Sequence, residues 1–596
     1  MQNAIAFANN DIATIAWSYG KPLTGCMGFA VYRIDQGGKE TPLPAMAVFP
    51  GMRAKPGQTC LDAPFQKFYW KDSYARLVAD RTGKRKFRYK VVPLAGKPGQ
   101  LAPMHIPFVI SNEIEISPDA GTTLKAYFNR GLLSTQRVSR AFNGKPAKGK
   151  LLPQIQTQGN PLRASLAGEM AEALTGFVER AKHGGEIYAA LYELTDKQLI
   201  DGLNGLGSRL HIVLSNAMQT DLKSKTKFDE NMPARTALGK TAKEEWNRIL
   251  PPSNQIGHNK FLVYVDSKKK PQAVLFGSTN WTATGLCAQT NNTIVLDDPK
   301  VAKNYLDYWR RLALDTQKAN GVAKSLQSSV LRNADAKPIK QVILADEDGA
   351  LTSWYSPNMP RLRGSNTKAG KSEPCPPDMK QVIDLVNGAK QAVLFLIFYP
   401  GTPSIANWAA AAQKQNKDLF VRGCVTNPSA AEGFYYQLHG GTPPQRVKGQ
   451  KRPAGKQDFR VIAAKALDDK HAPEGWAREL LNAGFAIIHD KIVVVDPFSD
   501  DCAVVTGSHN LGYRASFNND ENLAIIRGNK RLAAAYASHV LDVYDHFAWR
   551  YQVETFGKPK AQQSLETNPA KWQERYFDSQ GRIKVAQVKF WLSALA

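Results

Sequence analysis

The sequence predicts an α/β protein in which two repeated α/β/α sandwich units form one bilobal body, preceded by a small N-terminal β-sandwich. Two observations predict this fold class. A motif block occurs twice along the 596 residues, and strands begin to alternate with helices near residue 119. An internal repeat decides the architecture before any single element does. Alternating strands and helices indicate sheets covered by helices, and the length allows about three to four domains.

Residues 1–118 contain short strand-like runs between turns such as Lys55-Pro56-Gly57 and Lys97-Pro98-Gly99. Several short strands without helical periodicity predict a β-sandwich of about 100 residues. This segment loosely resembles a fibronectin-type-III module and contains no catalytic motif. We therefore expect it to dock or pack rather than to catalyse.

Residues 119–330 and 331–550 repeat one order of helices, buried strands and a motif block. The first repeat includes a polar, lysine-bearing stretch at 218–250, which we predict to be an inserted loop or lid. The second includes a Pro/Gly/Lys-rich excursion at 427–480, most basic at 443–460. The tail, 551–596, ends in an aromatic and apolar run, so we expect it to pack on the body.

The two motif blocks share residue types and spacing. The first has His258, Lys260 and Asp266, followed by Gly277, Ser278 and Asn280; the second has His489, Lys491 and Asp496, followed by Gly507, Ser508 and Asn510. In both blocks, Asp to Gly spans 11 residues (277 − 266 and 507 − 496), and a further Asn follows 12 residues after Asn280 or Asn510. Matched spacing in two copies is far more specific than one His-x-Lys pair.

These residue types suit chemistry on a phosphodiester. Side chains two residues apart in a strand point to the same face, so each His projects together with its Lys. Imidazole acts as a nucleophile or a proton donor near neutral pH, and lysine supplies positive charge. Asn adds amide donors. Two facing sets would form a cationic cradle for one tetrahedral anion, with covalent capture by one histidine and protonation of the leaving group by the other.

The paired blocks resemble the HKD motifs of the phospholipase D superfamily. The resemblance covers roughly residues 120–550 and implies a bilobal α/β/α monomer with its site between the repeats. It also implies a two-step transfer through a phosphohistidine, without metal or other cofactor. By this resemblance His258 is the nucleophile and His489 the general acid. The phosphate oxygens would be bound by Lys260, Lys491, Asn280 and Asn510, with Ser278 and Ser508 as further candidates.

The first block departs from the family pattern in two places. Asp266 lies eight residues after His258, whereas Asp496 lies seven after His489. Either a β-bulge between Lys260 and Asp266 turns the Asp266 side chain to the same face of the sheet as Asp496 has in the second block, or Asp266 is an ordinary strand-end residue.

The acidic position also differs between the blocks. Asn291 occupies the place where the second block has Glu521 (280 + 11 and 510 + 11). We therefore expect supporting roles for Asp266, Asp496 and Glu521, and one histidine without its own carboxylate. Ser278 and Ser508 would bond a catalytic carboxylate or simply pack at a strand end.

The net charge of +26 favours a polyanionic partner. A phosphodiesterase is the favoured function, with nucleic acid slightly preferred because of this charge and the basic stretches at 218–250 and 443–460. The alternative is a phospholipase D or phosphatidyltransferase on anionic lipid, for which Trp408 and Phe434-Tyr435-Tyr436 are candidate apolar contacts. A third hypothesis is a binding protein with a silent site.

The remaining sequence features concern compartment and assembly. Six scattered cysteines lack metal-like spacing and indicate reduced thiols, although Cys26 and Cys60 would be close enough in sequence to pair. No apolar run approaches the ~20 residues of a membrane span, and the N-terminus lacks the features of a Sec signal peptide. We expect a cytoplasmic protein, or one exported without such a signal. Two motifs on one chain make a monomer sufficient for a complete site.

Overall fold

The structure is a computed structural model, and the residues it describes form two compact units. One unit comprises Met1–Pro118, Ala534–Asp542 and Gln552–Ala596, and the other Asp119–Ala533 and Val543–Tyr551. The described residues are 3–45, 47–131, 151–220, 224, 226–251, 255–318, 326–345, 348–364, 373–401, 403–445, 453, 455–464, 488–556 and 564–595.

The N-terminal residues form two small antiparallel sheets and one helix. Their order is β1-β2-β5 in one sheet and β4-β3-β6-β7 in the other, in which β8 and β9 also pair with β6. The elements are β1 (Asn3–Ala8), β2 (Ala13–Ser18), β3 (Gly28–Asp35), β4 (Glu40–Pro42), β5 (Tyr69–Asp72), α1 (Ala75–Thr82), β6 (Lys86–Lys97), β7 (Gln100–Pro103), β8 (Val109–Ile110) and β9 (Ile114–Glu115).

The first repeat is a seven-stranded mixed sheet with helices, ordered β10-β18-β17-β16-β11-β12-β15. A hairpin of β13 and β14 stands outside it. The elements are β10 (Leu124–Phe128), α2 (Leu151–Gln156), α3 (Pro161–Ala167), α4 (Met170–Glu179), β11 (Glu186–Leu191), α5 (Lys197–Asn204), β12 (Leu210–Ser215), β13 (Met218–Thr220), β14 (Lys227–Asp229), α6 (Met232–Leu238), β15 (Glu244–Arg248), β16 (Lys260–Val265), β17 (Pro271–Gly277), α7 (Ala283–Cys287), β18 (Asn292–Leu296) and α8 (Pro299–Lys318).

The second repeat is an eight-stranded mixed sheet, ordered β19-β20-β26-β25-β24-β21-β22-β23. The elements are α9 (Ser329–Asp335), β19 (Val342–Ile343), β20 (Ala350–Ser356), α10 (Pro377–Asn387), β21 (Ala392–Ile397), α11 (Ile405–Gln415), β22 (Phe420–Val425), α12 (Pro428–His439), β23 (Val461–Ala463), β24 (Lys491–Val495), β25 (Ala503–Gly507), α13 (Tyr513–Asn518), β26 (Glu521–Arg527) and α14 (Lys530–Phe556). Two helices follow, α15 (Pro569–Gln573) and α16 (Ala586–Leu592).

The two large sheets place their motif strands in equivalent positions. β16 pairs antiparallel with β11 and β17, and β24 pairs antiparallel with β21 and β25. The run Lys491–Val495 is buried throughout, as expected for β-branched residues in a strand covered on both faces. The predicted α/β class with two repeated units and a small N-terminal β part is confirmed.

The prediction of a loop or lid at 218–250 is wrong. This stretch contains the β13–β14 hairpin, α6 and β15, which pairs in parallel with β12 as the edge strand of the sheet. β15 has the polar sequence Glu-Glu-Trp-Asn-Arg because an edge strand is only partly covered, and only Arg248 in it is buried. In the second excursion, residues 428–439 form α12, whereas 446–452, 454 and 465–487 lie outside the described residues.

The structure also bears on the cysteines and on the search for a membrane span. All six cysteines are free, and only Cys375 is exposed. Among the described helices, none combines the length and the apolar character needed to cross a membrane.

The C-terminal residues share a core with the N-terminal sheets. Trp572 is fully buried, donates its indole N–H to the Cys26 carbonyl at 2.7 Å and stacks on Phe68 with ring centroids 5.7 Å apart. Gln573 exchanges hydrogen bonds with the Leu23 backbone. The segment around α15 is therefore part of this core.

Replacing Trp572 tests that contribution. Trp572→Ala should lower the free energy of unfolding of this unit by about 3–5 kcal/mol, because it removes a large buried ring and leaves a cavity. The shift of the urea midpoint measures it. The matched control is the neighbouring Lys571→Ala, whose exposed side chain should change stability by less than about 0.5 kcal/mol. Equal midpoints for the two variants would contradict this role.

Candidate active site

The two motif histidines lie side by side although 231 residues separate them in sequence (489 − 258). His258 and His489 each precede their motif strand by two residues, and each is only 3% exposed. Their ring centroids are 6.3 Å apart. The structure therefore brings the two predicted histidines into one site between the repeats.

Short backbone bridges hold the repeats together at this point. The His258 amide donates to the Asp520 carbonyl at 2.9 Å, and the Asp520 amide donates to the Ile256 carbonyl at 3.0 Å. On the other side, the His489 amide donates to the Thr290 carbonyl at 3.1 Å. Each histidine is thus hydrogen-bonded through its backbone to the opposite repeat.

The histidines also exchange side-chain partners between the repeats. Nδ1 of His258 lies 2.8 Å from a carboxylate oxygen of Glu521, and Nδ1 of His489 lies 2.9 Å from Oδ1 of Asn291. Glu521 belongs to the second block by sequence but contacts the histidine of the first. The histidine without a carboxylate partner is therefore His489, and sequence order alone did not reveal this exchange.

The hydrogen bonds fix the tautomers of both rings. The Glu521 carboxylate only accepts, so His258 carries its proton on Nδ1 and leaves Nε2 with a free lone pair. Lys491 approaches Nε2 of His489 at 3.2 Å, so the proton of this ring also resides on Nδ1 and is donated to Asn291. Oδ1 of Asn291 also accepts from the Ser278 hydroxyl at 2.8 Å.

Burial keeps both imidazoles neutral. It lowers the pKa of His258 to about 4, because the negative charge of Glu521 offsets only part of the desolvation. Burial also lowers the pKa of His489 well below its ordinary value, and the positive charges of Lys491 and Lys260 add to this. Burial alone would raise the pKa of Glu521, but His258 and nearby cations hold it below its usual value.

The two lysines are placed symmetrically. Nζ of Lys260 donates to the His258 carbonyl at 2.8 Å and lies 5.1 Å from the ring centre of Tyr192. Nζ of Lys491 donates to the His489 carbonyl at 2.7 Å and lies 5.2 Å from the ring centre of Phe398. Burial lowers the pKa of both lysines. A bound anion would raise the pKa of both lysines again, because its charge would compensate the desolvation of the ammonium groups.

Tyr192 and Phe398 were missed by the sequence reasoning. Tyr192 directly follows β11 and lies against His258, with ring centroids 5.0 Å apart. Phe398 directly follows β21 and lies 5.1 Å from His489 in the same way. The only available signal was their matched position at the end of the strand that pairs with each motif strand.

The predicted serines face the sheet framework. The Ser278 hydroxyl accepts from the Asn292 amide at 3.0 Å, and the Ser508 hydroxyl accepts from the Asn522 amide at 3.0 Å. These bonds join the end of each β-strand to the residue 14 positions further on. They tie each strand end to the neighbouring strand, and the Ser278 hydroxyl also donates to Asn291, the partner of His489.

The predicted asparagines differ from each other. Nδ2 of Asn280 donates to the carboxylate of Glu193 at 2.5 Å. Oδ1 of Asn280 and Oδ1 of Asn510 are both buried and have no hydrogen-bond partner within the described part of the chain. Buried amide oxygens without partners are costly, so groups of this kind need an explanation such as a ligand or ordered water.

The two aspartates lie away from the histidines. Asp266 accepts from the Lys268 and Lys270 amides at 2.9 Å and thereby caps its own hairpin turn. Asp496 accepts from the amides of residues 390–392 at 2.7–2.8 Å and fixes the start of β21.

A register shift does occur beside Asp266, between Tyr264 and Val265. However, Tyr264 pairs with Ala273 and Val265 with Pro271, so the extra residue is Gln272 on β17. The bulge expected within the motif strand is thus on its partner strand.

A second layer of exchanged contacts lies behind the histidines. Nδ2 of Asn522 donates to Oδ1 of Asn259 at 3.0 Å, and Nδ2 of Asn292 donates to Asp490 at 2.9 Å. Asn259 and Asp490 are the middle residues of the two His-x-Lys segments. The matched 12-residue spacing of Asn292 and Asn522 was visible in the sequence, but their partners were not.

A buried ionic network fixes the residue that precedes Glu521. Arg248, 1% exposed, binds the carboxylates of Asp520 and Asp315, and Gln327 donates to Asp520 at 3.0 Å. Asp520 is itself 1% exposed. Because the same Asp520 backbone binds His258, this network holds the Glu521–His258 pair in register.

The first repeat matches a family model. Residues 177–313 match the model described as "Cardiolipin synthase, PLD-like domain", and these residues include the first motif block. The chain contains a phospholipase D-like domain. No curated protein matches it in sequence.

Several solved structures are similar to parts of the chain. Phosphatidylserine synthase from Haemophilus influenzae Rd KW20 is 12% identical over 66% of this chain and 92% of its own, with a TM-score of 0.41. A mutant of yeast tyrosyl-DNA phosphodiesterase 1 is 11% identical over 59% and 84%, with a TM-score of 0.31. Nuc, a phospholipase D family member from Salmonella typhimurium, is 19% identical over 28% and 86%, with a TM-score of 0.18.

The buried, neutral imidazole of His258 should make the stability of the protein depend on pH. The folded pKa of His258 lies below the unfolded value, so the unfolded chain binds more protons between about pH 6.5 and pH 4. Stability should therefore fall as the pH falls through this window, with His258 contributing up to about 3 kcal/mol. Urea unfolding of wild type and His258→Asn at several pH values measures it. The variant should show a flatter slope; an unchanged slope would be inconsistent with a buried neutral His258.

Proposed function

We propose that this protein is a phosphodiesterase that hydrolyses or transfers a phosphodiester through a phosphohistidine on His258, with His489 as the general acid. The observation that carries this proposal is the exchange of partners, because it gives His258 a carboxylate and His489 a neutral amide. The lysines Lys260 and Lys491 are the groups placed to bind the phosphate oxygens.

The partner of His258 suits a nucleophile. When its Nε2 bonds to phosphorus, the ring keeps its Nδ1 proton and becomes positively charged. The Glu521 carboxylate, 2.8 Å from Nδ1, stabilises that charge. A free Nε2 lone pair in the resting state is also what nucleophilic attack requires.

The partner of His489 suits an acid. A bound phosphate anion would neutralise the lysine charges that lower the pKa of His489, so the ring would take up a proton as substrate binds. Its amide partner, Asn291, orients the ring without stabilising the protonated form as a carboxylate would. His489 therefore gives its proton readily.

The reaction proceeds in two balanced steps. First, Nε2 of His258 forms a bond to phosphorus, the bond to the leaving oxygen breaks, and His489 protonates that oxygen. Second, a water or alcohol loses its proton to His489 while its oxygen attacks phosphorus, and the phosphorus–nitrogen bond breaks. Lys260 and Lys491 offset the negative charge of the equatorial oxygens in both steps. Both steps use only these side chains, the substrate and the incoming water or alcohol.

Nucleic acid is the substrate we favour. The net charge of +26 supports binding to a polyanionic backbone through counterion release. The aromatic residues considered as an apolar rim for lipid offer less support for the alternative. Phe434 is fully buried in the core of the second repeat, and Trp408 packs against the same core.

Removing either histidine tests the mechanism. His258→Ala and His489→Ala should each reduce cleavage by about a thousandfold or more, since each step needs both groups. Labelled DNA, RNA and mixed phospholipid vesicles, incubated in EDTA, provide the measurement. Activity that survives either substitution, or that EDTA abolishes, would contradict the two-histidine mechanism.

Trapping the intermediate tests the order of the histidines. In His489→Ala, with a ³²P-labelled p-nitrophenyl diester whose leaving group needs no protonation, the label should accumulate on His258, because the base for the second step is missing. Digestion and mass mapping of the labelled peptide locate it. Label on His489 in His258→Ala, with none on His258 in the converse variant, would reverse the assignment.

Salt dependence tests the substrate class. Binding of a labelled oligonucleotide to the full chain should weaken at least about tenfold between about 50 and 200 mM salt, as expected for two or more phosphate contacts. Fluorescence anisotropy measures the affinity. Turnover of phospholipid together with no cleavage of nucleic acid would overturn the substrate choice and leave the phosphodiester chemistry intact.

A further inference from the structure

The side chain of Glu193 contacts Asn280, one of the residues predicted to bind phosphate. Glu193 follows β11 by two residues and accepts from Nδ2 of Asn280 at 2.5 Å. Oδ1 of the same amide is buried without a partner in the described part of the chain, and Asn280 is only 4% exposed. In the free protein, one of the two N–H groups of the Asn280 amide is thus held by the Glu193 carboxyl group.

The second repeat has no counterpart to this carboxylate. Leu191 pairs with Lys260 in the first sheet, and Ile397 pairs with Lys491 in the second, so the two strands end in the same register. The residue equivalent to Glu193 is then Tyr399, which is 50% exposed. At this position, therefore, the first repeat has a carboxyl group and the second repeat has none.

The side chains around the site leave little excess positive charge to bind a strongly negative ligand. Two buried lysines, Lys260 and Lys491, face three carboxylates, those of Glu521, Asp490 and Glu193. Burial and the neighbouring Glu230 raise the pKa of Glu193, while both lysines counter this. Each negative charge on a ligand must therefore compete with Glu193 for the same lysines and for Asn280.

We propose that Glu193 is a specificity-determining residue that lets the site bind singly charged phosphodiesters and excludes doubly charged monoesters and inorganic phosphate. This proposal rests on the proposed function for the identity of the site. A diester places one negative charge near Glu193, whereas a dianion places two, and the repulsion grows with that charge in a buried, weakly screened site. Glu193 would also reduce inhibition by any monoester product.

A charge-neutral variant tests the proposal on the full chain. Glu193→Gln keeps the size of the side chain and its acceptor oxygen for Asn280 but removes the charge. Two constants are measured at about pH 8: the dissociation constant for inorganic phosphate, by calorimetric titration, and the Michaelis constant for bis(p-nitrophenyl) phosphate. The ratio of the first to the second should be about tenfold lower in Glu193→Gln than in wild type. The matched control is Glu193→Asp, which keeps the charge and should keep the wild-type ratio.

The outcomes separate this proposal from the proposed function. An unchanged phosphate affinity in Glu193→Gln, or an equal change for phosphate and diester, would overturn the role of Glu193. If the wild type cleaves no phosphodiester, the proposed function fails, while the phosphate titration still tests the charge effect.

Wild type alone gives a second test that needs no variant to fold. Dimethyl phosphate should bind more tightly than methyl phosphate at about pH 8, where the latter carries two charges. The reverse order would contradict the proposal.

Discussion

The candidate site depends on one constraint: each motif histidine is held by the opposite repeat. His258 has Glu521 as its partner and His489 has Asn291, and the backbone bridges at Asp520 and Thr290 repeat the exchange. Neither repeat therefore supplies both a motif histidine and the residue that orients it. The packing of one sheet against the other assembles the chemistry, and the buried Arg248–Asp520 pair holds that packing where Glu521 begins. Removing one partner of a buried ion pair typically costs about 3–5 kcal/mol.

The exchange also explains why the two halves can differ in charge without losing their common geometry. The lysines occupy equivalent places, each over an aromatic ring and each bonded to its histidine carbonyl. The differences lie in the groups that contact the rings and amides. A carboxylate orients His258 and an amide orients His489, while Glu193 restrains only Asn280. The framework is thus symmetric and the electrostatics are not.

The sequence predicted what depends on local spacing. The His-x-Lys pairs, the Gly-Ser-x-Asn strand ends and the two α/β units follow from periodicity and repeat. The exchanged pairs could not be predicted, because Glu521 and His258 are 263 residues apart and contact only across the packed sheets. Asp266 looked like part of the motif, yet it caps a turn, and the bulge beside it lies at Gln272 on the neighbouring strand. The polar stretch that contains β15 looked like a loop because an edge strand needs little apolar surface.

Two different partners for two equivalent histidines cannot come from two identical copies of one repeat. If two identical copies of one repeat formed such a site, the symmetry would give both histidines the same orienting group. Both histidines would then have the same proton affinity, although one must attack phosphorus and the other must protonate the leaving group. With Glu521 and Asn291 in distinct repeats, the free energy of the cationic imidazole can be lowered at His258 without being lowered at His489. The proposed division of labour between nucleophile and acid rests on this difference of a single side chain at equivalent positions.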